Sequence, residues 1–268
     1  MLPDDLTILN DDRGMRSLLE QLGPASPAMK AGAALMAASE RLLVCTGFPV
    51  GAASETDGPA GAVVLAGALR TLGKDVAIVS WPEALDAWGP LLGDLPRIDV
   101  PRGRRLDRLH GVGVTIEVCG RTGDGTYRNM HGVDVGAAAP WFEDAIAGNA
   151  LVSIGDGGNE LGMGAAPKEW FSRRGVSRPA SSCDVLVVGQ VSNWAALAVV
   201  ASLGRTRGRD LLPGADDYAR LIAGLAGRGV VDGVTGTASA SEDGFDLDVS
   251  RDVIASLQAW AKRAGGDQ

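Results

Sequence analysis

Five short apolar runs punctuate the chain, at residues 42–45, 75–79, 112–118, 151–154 and 184–188, and each gives way to turn-forming residues. Runs of this length and bounding predict buried strands. Between them lie stretches with helical spacing. Residues 15–22 and 28–38 read as opening helices, the second rich in alanine and methionine. Pro59 suits the first position of a helix that carries Val63, Leu65, Ala66 and Leu69. Trp81-Pro82-Glu83 opens another, and Ser192-Asn193 reads as the cap of a helix over 194–203. In the tail, 215–228 predicts an amphipathic helix, 230–237 a strand with a turn, and 251–264 a closing helix, with an exposed connection over 205–216.

Strands alternating with helices predict an α/β fold: a mostly parallel sheet with helices on both faces, forming a single domain over 1–268. Ligands of such sheets bind beyond the carboxyl ends of the strands. The active site is therefore expected in the acidic, glycine-rich loops that follow the strands.

Composition narrows the chemistry. The chain has 38 glycines in 268 residues, and their clustering marks loops that turn sharply or approach a ligand. A net charge of −8 argues against a nucleic-acid partner, and the one basic run, at 102–108, reads as a solvated loop. Three dispersed cysteines fit a reducing cytoplasm and provide no disulfide framework, while two histidines argue against a histidine-based zinc site. No signal peptide or membrane-length apolar run is visible, so a cytoplasmic protein with no membrane partner is expected. The P-loop, the GxGxxG fingerprint and the GxSxG elbow are all missing, so no nucleotide cofactor is expected.

Four segments carry the distinctive residues. They are Thr46-Gly-Phe-Pro49 with Glu55-Thr-Asp-Gly-Pro59; Glu117 through Gly120-Arg121, Asp124-Gly125, Tyr127, Asn129-Met130 and Asp134; Gly155-Asp-Gly-Gly-Asn-Glu160 with Gly162-Met-Gly164; and Val191-Ser-Asn-Trp194. Together they resemble the D-glutamate cyclase family, over roughly residues 10–260. The resemblance implies a hydro-lyase that closes D-glutamate to 5-oxo-D-proline and water. That reaction needs a base for the α-ammonium, neutralisation of the γ-carboxylate, an acid for the departing oxygen, and a substrate folded for ring closure.

Clustered carboxylates serve these needs either by holding Mg²⁺ or Mn²⁺ or by keeping one of their number protonated. Glu55, Asp57, Glu117, Asp124 and Glu160 are the expected catalytic acids, and Glu55, Asp156 and Glu160 the expected ligands of a divalent metal. Substrate contacts are expected from Arg121, Tyr127, Asn129, His131, Asp134, Asn159, Ser192 and Asn193, and from the backbone N–H groups of Gly157 and Gly158. Family members carry arginine where this chain has His131, which directs attention to that position for substrate choice.

Plainer readings stand beside these. Asp57 also suits a helix cap, Asp156 and Asn159 suit turns, Arg121 suits an ion pair with a loop carboxylate, and Trp194 suits the core. A same-scaffold enzyme acting on another small carboxylate, and a binding protein without turnover, are the alternative functions. The expected partner is a small-molecule substrate, and self-association into a homo-oligomer stays open.

Overall fold

The computed structural model describes residues 6–10, 13–23, 25–102, 108–140 and 142–263. Most of the basic run at 102–108 and the last residue of the expected closing helix lie outside them. The helices and strands follow in the order α1 (Met15–Leu22), α2 (Ala25–Ala38), β1 (Arg41–Thr46), β2 (Pro49–Val50), β3 (Ala53–Ser54), α3 (Pro59–Thr71) and β4 (Asp75–Ser80). Next come α4 (Pro82–Trp88), β5 (Arg97–Asp99), β6 (Val112–Ile116), α5 (Phe142–Ala145), β7 (Leu151–Gly155), α6 (Lys168–Arg174) and β8 (Val185–Val188). The chain continues through α7 (Ser192–Arg207), α8 (Ala215–Ala226), β9 (Ser241–Glu242), β10 (Phe245–Asp246) and α9 (Leu247–Lys262).

Six strands form one sheet in the order β5-β4-β1-β6-β7-β8, with every pairing parallel. Alternate residues of each strand enter different cores, as the period of two requires. On one face Leu42, Val44, Val76, Ile78, Val114, Ile116, Val152 and Ile154 pack beneath α2, α3, α4, α7, α8 and α9. On the other, Leu43, Cys45 and Val79 meet Val118, Phe142, Ile146 and Leu161. Helices thus lie on both faces, but the second is covered largely by loops and the one-turn helix α5. Burial on both sides explains why the strands read as continuous apolar runs. Among the described residues no helix is long and apolar enough to cross a membrane.

Strand order reverses direction between β1 and β6. The first crossovers build outward from β1 through β4 to β5, and the later ones from β6 through β7 to β8. Loops leaving β1 and β6 therefore diverge and leave a crevice at their carboxyl ends.

Three expectations are corrected. Residues 230–237 form no strand: Val231 makes a single bridge to Glu55, and Asp232 then accepts the N–H groups of Val234 and Thr235 in a turn. The closing helix begins at Leu247, four residues before the expected start. Ser192 and Asn193 are the first turn of α7 and supply no side-chain cap to it; its cap comes from elsewhere in the chain.

Candidate active site: an acidic cavity at the strand ends

The site begins where β6 ends. Glu117 follows Ile116 directly and has a left-handed backbone, φ 48°. Asp243 has φ 52°, and these are the two non-glycine residues with positive φ among the described residues. Each costs about 1–2 kcal/mol against the normal conformation. Both residues line the same cavity, and strain concentrated in this way is characteristic of functional sites.

The β1 loop packs directly against this turn. Gly58 has φ 97°, and a Cβ there would approach Thr46 Oγ1 to 2.6 Å and Glu117 Cβ to 2.9 Å. Only glycine permits the approach. It places Glu55 and Asp57 beside Glu117, with Glu55 held by Glu55 N–H donation to the Phe48 carbonyl and by the bridge to Val231. From the next strand, β7, comes Asp156. Arg13, from the segment before α1, joins these pieces: its Nη1 donates to Asp156 Oδ2 at 2.7 Å and to Asp243 Oδ2 at 2.8 Å.

Two of the expected acids already have structural work. Asp57 accepts the N–H groups of Ser192 (2.8 Å) and Asn193 (2.6 Å), and so caps α7 from across the crevice. Asn193 returns the favour to α3: its Oδ1 accepts the N–H groups of Gly58 (2.9 Å) and Gly61 (2.7 Å). This reciprocal capping locks two helix N-termini together and satisfies amides that would otherwise be orphaned in the interior. Asn193 Nδ2 also donates to Glu242, a fully buried carboxylate that accepts from Tyr218, Ser250 and Trp194 as well. Trp194 is thus a core residue.

Glu160 folds back on its own loop. It accepts the N–H groups of Asp156 (3.2 Å), Gly157 (2.5 Å) and Gly158 (2.7 Å). The backbone donors expected to hold a substrate carboxylate at Gly157 and Gly158 are therefore occupied by Glu160. Glu117 accepts the hydroxyl of Ser192 at 2.7 Å, which fixes its orientation. Glu55 is different: it is buried, and its Oε1 has no hydrogen-bond partner among the described residues.

The remaining expected residues divide by position. Asn129, His131, Asp134, Gly157 and Asn159 line the cavity, whose volume is about 650 Å³. Asn129 Oδ1 shapes its wall by accepting the N–H groups of His131 and Val133. Asp124 lies outside, in an exposed turn with Thr122, Thr126 and Arg128, and those hydrogen bonds hold its carboxyl well below the usual range. Arg121 pairs with Asp144, and the Tyr127 hydroxyl donates to Glu143; neither lines the cavity.

Comparison with known proteins decides the family. Residues 6–88 and 98–258 match the model for "D-glutamate cyclase-like, C-terminal" proteins. The chain belongs to the D-glutamate cyclase-like family. It is 31% identical over 204 residues to the human mitochondrial D-glutamate cyclase, a match covering 60% of this chain and 32% of that protein. Among solved structures it is similar to an exopolyphosphatase-related protein from Bacteroides fragilis (8% identity, TM-score 0.40, 89% of this chain and 57% of that one). It is also similar to RecJ in complex with Mn²⁺ from Thermus thermophilus (14% identity, TM-score 0.37, 88% and 38%). At those scores neither likeness bears on the chemistry.

Within this D-glutamate cyclase-like chain, Arg13 and Asp243 are cavity residues that sequence reasoning passed over. The Glu242-Asp243-Gly244 turn carries the same acid-glycine signature as the other loops and was legible in principle; Arg13 had no comparable signal. Burial, with Glu117, Asp243 and Asp57 nearby, pushes the Glu55 carboxyl well above the usual range. Burial also raises Glu117, with Glu160 and Asp57 adding to it. Arg13 keeps its charge because Asp156 and Asp243 more than offset its burial.

The donor set suits a hard cation. Oxygens of Glu117, Asp156 and Glu160 approach one another within 4.8 Å, as do those of Asp57, Asp156 and Asp243. All are carboxylates, the ligands that Mg²⁺ and Mn²⁺ prefer. Asp156 is common to both groups.

Proposed function

We propose that this protein closes D-glutamate to 5-oxo-D-proline with loss of water, as a hydro-lyase. The observation that carries the reading is the convergence of Glu55, Glu117, Asp156 and Asp243, with Arg13 among them, in one cavity at the strand-order reversal of a chain of this family.

Ring closure joins the α-nitrogen to the side-chain carboxyl carbon and expels an oxygen of that carboxylate. Glu117, fixed by Ser192, takes a proton from the α-ammonium and frees its lone pair. Glu55, whose carboxyl burial pushes well above the usual range, donates one proton to the departing oxygen, and the second proton that the nitrogen sheds as the C–N bond forms passes to the same oxygen, so that water leaves. Arg13 supplies positive charge to a substrate carboxylate, and its pairing with Asp156 and Asp243 fixes where that charge sits. Asn129, His131, Asp134 and Asn159 form the wall against which the substrate folds toward its near-attack ring. Asp57 and Glu160 act by positioning: one holds α7 with Ser192, the other holds the loop bearing Asp156.

Asp156 with Asp57 and Asp243 is the carboxylate group that would hold Mg²⁺ or Mn²⁺ and leave Glu117 free as the base. Such an ion supplies Lewis-acid polarisation of the γ-carboxylate when bound. Activity measured before and after exhaustive chelation tests this half of the proposal. Loss on chelation with recovery on adding Mg²⁺ or Mn²⁺ is expected, and full activity after chelation would remove the metal from the account.

A further inference from the structure

The cavity is larger than glutamate, and part of its wall is apolar. Glutamate has roughly ten non-hydrogen atoms. Even at the ~30 Å³ that each water molecule takes in the liquid, they occupy about 300 Å³, under half of the available 650 Å³. Beside the polar Asn129, His131, Asp134 and Asn159, the lining includes Phe48, Val50, Val133, Val135, Ala138 and Val234, an apolar stretch that offers glutamate no polar partner. Val133 is 57% exposed and Val234 59%. Among the described residues only Leu9 and Leu22 are comparably exposed large hydrophobics, so half of that set stands at one mouth. A single exposed valine has no significance; two above an apolar wall make a surface that gains by being covered.

Charge points the same way. The floor sets Glu55, Glu117, Asp156 and Asp243 against one guanidinium, Arg13. A free γ-carboxylate adds another negative charge to that floor, whereas a γ-amide is neutral and carries its substituent toward the mouth.

We propose that the site takes γ-glutamyl amides of short apolar amines, closing the same lactam and releasing the amine. This rests on the lactam-forming reading above. The α-nitrogen bonds to the side-chain carbonyl carbon, and the bond from that carbon to the substituent nitrogen breaks. One proton passes from the α-nitrogen to a floor carboxylate, and one is delivered to the departing nitrogen. The products are 5-oxoproline and a free amine, with no water, oxidant or reductant consumed. Val133 and Val234 set specificity by covering the amine's alkyl chain.

The test is a series of D-γ-glutamyl n-alkylamides, methyl through butyl, run beside D-glutamate on the intact protein, with 5-oxoproline and released amine both quantified. The expected result is a kcat/KM that rises by about fourfold per added methylene, the factor corresponding to ~0.8 kcal/mol of burial. The double variant Val133→Ser, Val234→Ser, both at exposed positions, is expected to flatten the series, read as the ratio of each amide's kcat/KM to that of D-glutamate in the same variant. Turnover of D-glutamate with none of the amides, or of all amides equally, overturns this proposal and leaves the lactam reading standing. Turnover of the amides alone supports it and removes water as the leaving group. An enzyme that consumes neither overturns both.

Discussion

Arg13 joins three parts of the chain, and its removal has a consequence that can be worked out. The guanidinium is 17% exposed and its partners Asp156 and Asp243 only 3% and 5%. In Arg13→Ala two buried carboxylates lose their counter-charge, and breaking a buried pair by removing one partner costs about 3–5 kcal/mol. The partial exposure of Arg13 puts the expected cost near the lower figure, about 3 kcal/mol. For a chain of this size each kcal/mol lowers Tm by about 2–4 °C, so a fall of about 6–12 °C is expected at pH 8. The deficit must shrink toward pH 5, because burial raises the Asp156 carboxyl, and without Arg13 to oppose that it takes up a proton more readily in the folded state. The assay is thermal unfolding of wild type, Arg13→Ala, Asp243→Asn and the double variant across pH 5–8. A coupling of about 1 kcal/mol or more between the two positions is expected, since they share one contact. A Tm fall below 2 °C at pH 8 that does not change with pH would refute the argument that Arg13 neutralises this floor.

Other expected outcomes follow from the same geometry. Asn193→Ala removes the cap of α3 and one donor to buried Glu242, so urea unfolding should show a loss of about 2–4 kcal/mol; a loss under 0.5 would contradict the reciprocal capping. Glu117→Gln should lower kcat at least 100-fold with near-native Tm, whereas Asp124→Asn, in its exposed turn, should leave kcat unchanged; equal effects would place the chemistry elsewhere. Glu55 has a folded pKa raised above its ordinary value of 4.5. Between those two values the unfolded chain binds fewer protons than the folded one, so this group's contribution to stability falls as pH rises. In chelated protein, Glu55→Gln should therefore raise Tm relative to wild type at pH 8 and change it little at pH 5; a difference of the opposite sign would mean that Glu55 is ionised and paired.

The sheet was readable because its strands are buried on both faces. Leu42–Val44, Leu151–Ile154 and Val185–Val188 carry apolar side chains to both faces of the sheet, so length and turn boundaries alone delimit them. Sequence also placed Glu55, Glu117 and Asp156 at strand ends, and the parallel order brings them together. It could not separate roles that depend on partners distant in the chain. Asp57 reads as a cap for the helix it precedes, yet it caps α7, 135 residues away. Asp124 carries the same Asp-Gly signature as Asp156, but a local hydroxyl network holds it at the surface. The tail at 230–237 has strand-like composition, but Asp232 gathers Val234, Thr235, Ser241 and Gly244 into a turn before any ladder forms. Arg13 stands in a short polar segment with nothing in its spacing to mark it, and only the folded chain shows that it closes the cavity floor.

The most direct measurement of the central claim is incubation of the purified protein with D-glutamate, L-glutamate and 5-oxoproline, with and without Mg²⁺ or Mn²⁺, followed by chiral chromatography. The account predicts conversion between D-glutamate and 5-oxo-D-proline that Glu117→Gln abolishes. No conversion in either direction, with either metal or none, would contradict it.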